Sequence, residues 1–472
     1  YTPQEKREEQ IFDIVNQLNM GISLIANSAD REELAKLNLM AGKKAKDSAA
    51  YETAVRYLLT GIDLIGAQSW QNQYRLALAL HNEAAEATYL NGEFAETERL
   101  VKQIFEHAKD ILDCVKAYQS SAAAYTAQNN LEAAIYTILD ATRRLGEPLP
   151  RHPNRLRVGL ELFYTRFWMV GRRSMKELEA LPPMTDPYKV ATVNLLGSAA
   201  LAAINVAPLL VAVLALRVVN LTVRYGSSPS SSVQGAAYGV MLRAGLGDIE
   251  GAYRFGQLSL RMLERSNDRI YRTMTIVAYE SCIRHWKEPL RPSLPVMLAA
   301  YQEGLELGNL EFSLVAAHVY CTHSFILGEP LAEVERSFQE YITQMRQFNL
   351  VGVVYYTQPW HQLVLNLQGQ ASDPSRLMGT AFDEAEMLPM FTKNQQGIPL
   401  FYTHIARTIW LYFVGDYVGS LDAAKLAKPL EESAPGTPGF AMRYFYESLA
   451  CLAICSRLPK AKQRHYLRRV AK

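Results

Sequence analysis

The sequence predicts an all-α protein: a right-handed α-solenoid of about ten helical hairpins of tetratricopeptide-like type. The first observation behind this is the stretch Leu37–Leu64, which reads as two amphipathic helices folded back on each other. Gly42, Ala54 and Gly61 supply small residues for a close helix contact, and Leu39, Tyr51, Val55, Leu58 and Ile62 supply an apolar stripe. The same spacing returns at Ala122, Ala134 and Ala141, with Tyr125 and Leu131 between them. The second observation is the recurrence of turn signals at Ala49, Gly92, Asn129, Gly171, Ala207, Gly247, Glu288, Gly328, Gly369 and Gly415, at intervals of 36 to 46 residues. The third is the scarcity of strand signals. Even the β-branched run Val351–Tyr356 is flanked by helical periodicity rather than by hairpin turns.

Taken in order, the chain opens on a helix from Gln4 to Ala26, with Ile11, Ile14, Val15, Leu18, Ile22 and Ile25 on one face. After Asn27–Ser28, Asp30 is placed to cap the next helix, with Glu33 reaching back. The later turns share a chemistry: GEF at Gly92, NNLEAA at Asn129, GDIEGA at Gly247 and GDYVGS at Gly415. A second form, Glu288–Pro289–Leu290, recurs as Glu329–Pro330–Leu331. Glycine ends one helix in the left-handed conformation, and an acidic residue or proline opens the next.

Breaks fall at Gly146–Pro153, Leu181–Pro187, Gly226–Ser232 and Ser433–Gly439. The first divides an N-terminal array, residues 1–146, from a C-terminal array, residues 147–472, that continues the same solenoid. From Val190 to Leu216 there are 27 residues without a formal charge, long enough to raise the question of a membrane span. Asn194 and Asn205 lie within that run, and Pro208 stands where the period calls for a turn, so it reads as a buried helical hairpin.

Composition bounds the function. In 472 residues, 49% are hydrophobic and 20% charged, enough apolar material for an extended core. A formal charge of +2 predicts no strong field, so a general affinity for nucleic acid is not expected. Five scattered cysteines, at positions 114, 282, 321, 451 and 455, fit a reducing compartment, hence the cytoplasm. The chain starts with Tyr1 and stops inside an apparent helix, and reads as a segment of a longer protein.

Catalytic and cofactor motifs are missing from the sequence. Gly42–Lys43–Lys44 lacks the loop and hydroxyl of a phosphate-binding loop, and no HExxH, GxSxG or CxxC occurs. His318, Cys321 and His323 approach a metal set, but on a helix His323 points away from the other two, so no metal or cofactor is expected. Cys451 and Cys455 share a helix face and read as small core residues.

Two surfaces remain as candidates. Arg143, Arg144, Arg151, Arg155, Arg157, Arg166, Arg172 and Arg173 face only Glu147 and Glu161 in the same stretch, a band suited to an anionic ligand or an acidic partner. The terminal run Arg457–Lys472 is also basic. Tyr355, Tyr356, Trp360 and Tyr402 would form an aromatic groove if the first helices of the hairpins line a concave face.

Several strings carry a resemblance: Ile11–Ile25, Glu33–Ile65, Asn82–Phe94, Leu246–Leu260 and Tyr446–Ala453. They resemble the helical region of large bacterial, cyanobacterial-type signalling proteins, in which a serine/threonine kinase domain and a P-loop ATPase precede the helices and a GAF sensor and histidine kinase follow. The resemblance implies a non-catalytic scaffold or sensor arm that binds a protein partner or its own flanking domains. The alternative from the residues alone is a ligand sensor using the basic band or the aromatic groove.

Overall fold

The computed structural model describes residues 10–128, 130–203, 207–266, 269, 271–371 and 373–455, together with 463, 464, 467 and 470. Among these residues the regular structure is helical, and the bridging pairs Pro183–Ser227 and Met378–Asp383 are isolated. The chain forms two compact units: residues 1–151 with 185–203, and residues 152–184 with 204–472. Position 4, where the first helix is expected to begin, the turn at Asn129, Asn205 and most of the basic terminal run lie outside the described residues.

The first unit contains α1 (Ile11–Met20), α2 (Ser28–Asp47), α3 (Tyr51–Ile65), α4 (Tyr74–Leu90), α5 (Phe94–His107), α6 (Ile111–Ala127) and α7 (Leu131–Arg144). The helices pair as α2 with α3, α4 with α5 and α6 with α7, each pair resting on the next. The start of α2 corrects the expected cap. Asn27, not Asp30, accepts a hydrogen bond from the Ala29 amide at 3.1 Å, and Asp30 lies in the first turn. The α2–α3 reversal is closed by Ala49 at φ 58°, and that of α4–α5 by Gly92 at φ 81°.

The small residues of α2 and α3 act as the sequence predicts. A Cβ on Gly42 would lie 2.5 Å from Cγ of Leu58, and one on Gly61 would lie 2.7 Å from Cδ2 of Leu80. Ala54 and Ala134 are buried as well. Ala54→Leu and Ala134→Leu are therefore each expected to cost about 1–3 kcal/mol by overpacking, whereas Ala95→Leu on the exposed face of α5 costs little. Thermal melts followed by circular dichroism compare the three; equal midpoints would contradict this register.

The run Val190–Leu216, read from the sequence as one buried hairpin, is divided between the two units. It is split between α9 (Pro187–Ala203), which packs on α6 and α7 in the first unit, and α10 (Pro208–Tyr225), which belongs to the second. By length and composition α10 is able to cross a membrane, but 61% of it is buried against protein, and Arg217 within it lies 3.6 Å from Glu161.

The second unit begins with α8 (Arg155–Tyr164), which runs into a π-helical turn over Thr165–Val170 and packs on α10. After α10 come α11 (Ser231–Leu246) with α12 (Ile249–Ser266), α13 (Arg272–Cys282) with α14 (Ser293–Glu306), and α15 (Leu310–Ile326) with α16 (Leu331–Gln347). They are followed by α17 (Val351–Leu367), α18 (Glu384–Lys393), α19 (Gly397–Phe413) with α20 (Tyr417–Ala427), and α21 (Gly439–Cys455). Glycines 247, 328, 369 and 415 take positive φ at the expected reversals. Gly171, by contrast, has φ −64° and ends the π turn.

Candidate functional site

Polar side chains tie each repeat to the next, and the sequence separation of the partners is itself the repeat period. Tyr57 donates to Asn16 at a separation of 41, Tyr74 to Asp113 at 39 and Lys189 to Glu147 at 42. In the second unit, His318 and Thr357 are 39 apart, Tyr301 and Gln344 43 apart, and Arg291 and Glu329 38 apart.

The densest set joins three consecutive first helices, α2, α4 and α6. Lys46 lies 2.6 Å from both Glu83 and Glu86, and Lys116 lies 2.6 Å from Glu83 and 2.9 Å from Glu86. Burial alone would raise the two carboxyl pKa values, yet hydrogen bonds from Lys116 and Lys46 outweigh it and hold both below the ordinary range. Two cations shared by two carboxylates form a cross-repeat clamp in which each charge has a partner on another helix. Sequence reading missed it. Its only trace there is the spacing of 30 to 40 residues between partners, on a segment otherwise read as an apolar contact.

The aromatic groove is corrected by the packing. Trp360 is 1% exposed and Tyr402 9%, and both belong to the main core of the second unit, with Tyr355 and Tyr356 packed against it. The Trp360 and Tyr402 rings lie 5.8 Å apart, and burial raises the Tyr356 phenol well above its usual range. These residues are inter-repeat packing, because α17 and α19 lie against each other.

The arginine band is divided between the units. Arg143 and Arg144 both pair with Asp140, at 2.5 and 3.0 Å, and Arg151 stacks 4.6 Å from the Tyr136 ring. In the second unit Arg155 meets Glu432 at 3.0 Å, Arg157 meets Glu161 at 2.7 Å and Arg166 meets Asp248 at 2.7 Å. Arg172 lies over the Trp168 ring at 4.4 Å, and Arg173 is exposed. Carboxylates distant in sequence, Asp248 and Glu432 among them, remove much of the charge that local counting assigned to the band.

His318, Cys321 and His323 are buried, with His318 bonded to Thr357 at 2.9 Å and His323 to Ser293 at 2.8 Å. Among the described residues no group of histidine, cysteine and carboxylate side chains is arranged to hold a metal ion. The cysteines at 114, 321, 451 and 455 are buried, and Cys282 is half-buried.

No family model matches the chain. A curated relative, the "Hybrid signal transduction histidine kinase G" of Dictyostelium discoideum, is 25% identical over 390 residues, which is 76% of this chain and 11% of that protein. The chain thus spans a small part of the relative's length. Among solved structures, "Structure of Naa15/Naa10 bound to HypK-THB" aligns over 99% of this chain and 96% of that one, at 10% identity. Its TM-score of 0.19 adds nothing to the fold read from the helices themselves. At this level the chain is a helical-repeat protein with similarity to a stretch of a signalling histidine kinase.

Proposed function

We propose that this chain is a non-catalytic scaffold arm of a larger cytoplasmic signalling protein, binding a protein partner or flanking domains and passing strain between them. The observation that carries the reading is the ladder of side-chain bonds one repeat apart, with the Lys46–Glu83–Lys116–Glu86 clamp as its strongest rung. In an array whose units touch only their neighbours, a small change at each interface adds along the stack. Similarity to a hybrid histidine kinase supports placing the arm in phosphorelay signalling. Serine/threonine kinase and P-loop ATPase modules in the parent belong to the same proposal and rest on the resemblance alone.

The isolated chain is then expected to turn over no ATP. Loosening the clamp with Lys46→Gln and Glu86→Gln leaves Glu83 paired with Lys116. In the parent protein this double variant should change the autophosphorylation rate roughly fivefold, the factor that a coupling change of about 1 kcal/mol corresponds to. Unchanged autophosphorylation, with hydrogen exchange confirming a looser α2–α4 contact, would count against coupling, and ATP turnover by the chain alone would count against a purely non-catalytic arm.

A further inference from the structure

Helix α8 and its π turn are apolar on both sides, and among the described residues only one side is covered. Leu162, Thr165 and Val170 are buried in the second unit, with Met169 packed against the same cluster. On the opposite side Leu156 is 72% exposed, Leu160 59%, Phe163 56%, Phe167 56% and Trp168 53%. A helix that is hydrophobic all round normally lies within a core, so this second face lacks a cover. The exposed residues follow the 4-3-4 spacing of a single stripe, about 18 Å long at the helical rise. The Phe163 and Phe167 rings meet at 4.6 Å, which holds the aromatic part of the stripe in one place. The π turn, closed by the Gly171 amide on the Arg166 carbonyl at 2.8 Å, adds a residue to that turn and widens the stripe toward Trp168, and such bulges recur at functional positions.

Charge identifies the occupant. Arg155, Arg157, Arg166, Arg172 and Arg173 border the stripe, whereas the acidic residue of this helix, Glu161, is turned inward between Arg157 and Arg217. A second copy of the same face would set these cations against one another. An anionic bilayer calls for a broad field of cations, but Arg157 and Arg166 are tied to largely covered carboxylates, which leaves a narrow rim: Arg155, whose pair with Glu432 is solvent-exposed on both sides, Arg172 over the Trp168 ring and the exposed Arg173.

Resting on the scaffold reading above, we propose that the Leu156–Trp168 face docks an amphipathic helix of a protein partner, with a Leu/Phe ridge flanked by Asp and Glu. The ridge fills the stripe by helix-on-helix packing, and its acidic flanks meet Arg155, Arg172 and Arg173.

The probe is a synthetic amphipathic peptide of about 18 residues, matched in length to the stripe, with a Leu/Phe ridge and Glu flanks. A second peptide carries Lys flanks instead. Fluorescence anisotropy with the full chain should give binding to the Glu peptide that is about tenfold or more tighter than to the Lys peptide. Leu160→Ser with Phe167→Ser, both at exposed positions, should weaken it about tenfold or more while the melting temperature stays put. Equal binding of the two peptides, no binding of the Glu peptide, or full affinity in the Ser variant overturns the proposal. Capture of the chain by phosphatidylserine vesicles without peptide binding overturns it in favour of a membrane, and dimerisation lost in the Ser variant overturns it in favour of a second copy. These readouts do not depend on autophosphorylation, so failure here leaves the coupling test standing, and the reverse holds.

Discussion

Lowering the pH from 7.5 to 5 is expected to destabilise the second unit through four histidines, three buried and His285 half-buried, by about 2 kcal/mol for each at pH 5. Burial holds His318 and His323 down at about 3, and His285 and His404 at about 4. The nearby cations act in the same direction: Arg243 beside His285 and Arg407 beside His404. The sign follows from proton counting. Above the unfolded value, near 6.5, both states are neutral and the stability is intact; below it the unfolded chain takes up protons that the folded chain refuses. Stability is therefore lost as the pH falls from about 6.5 toward about 4 for His285 and His404, and toward about 3 for His318 and His323. Buried carboxyls oppose this. Burial raises Glu280 to about 7 and raises Glu384 as well, so these groups gain stability over part of the same interval.

Single substitutions separate the contributions. In urea melts at pH 7.5, 6 and 5, His318→Gln or His323→Asn should flatten the pH slope by up to about 1.4 kcal/mol per pH unit, the value for one proton. An identical slope in wild type and both variants would show that these imidazoles protonate freely in the fold. The buried positions argue otherwise: the Thr357 hydroxyl already donates to the Val353 carbonyl, so its oxygen accepts from His318 Nδ1–H.

Arg443→Met is expected to cost about 3–5 kcal/mol, the largest effect of any single side-chain change considered. Arg443 on α21 is 2% exposed. Its guanidinium meets Glu447 at 2.5 Å and Glu431 at 2.6 Å, and lies 4.0 Å from the Tyr444 ring centroid. Removing the cation leaves two poorly solvated carboxylates facing a gap; neither can be discharged near neutral pH without cost. Adding Glu431→Gln and Glu447→Gln should therefore recover much of the loss, because an uncharged, hydrogen-bonding set needs no counter-ion. Thermal and urea melts of the single and triple variants test this. A single variant that melts like wild type, or a triple variant no better than the single, would contradict it.

The all-helical architecture and the repeat were legible in the sequence because they rest on local rules. Glycines 92, 247, 328, 369 and 415 stop helices wherever they stand, and the small residues at 42, 54 and 61 mark a close contact without reference to distant chain. What remained hidden was decided by partners far away in sequence. Trp360 and Tyr402 look the same in a groove or in a core, and only the packing of α17 on α19 makes them core. The arginine band looks strongly cationic until Asp248 and Glu432 are brought to it.

The same reasoning accounts for α8. Leu156, Leu160, Phe163 and Phe167 are apolar yet exposed among the described residues, while Leu162 and Val170 of the same segment pack into the core of the second unit. Sequence by itself determined that helices form, where they reverse and at what period they repeat, since those depend on backbone conformation and short-range periodicity. The tertiary structure alone decided which aromatic residues are inside, which cations are neutralised and which apolar face is left uncovered, because burial and charge pairing are properties of segments brought together from one or more repeats away.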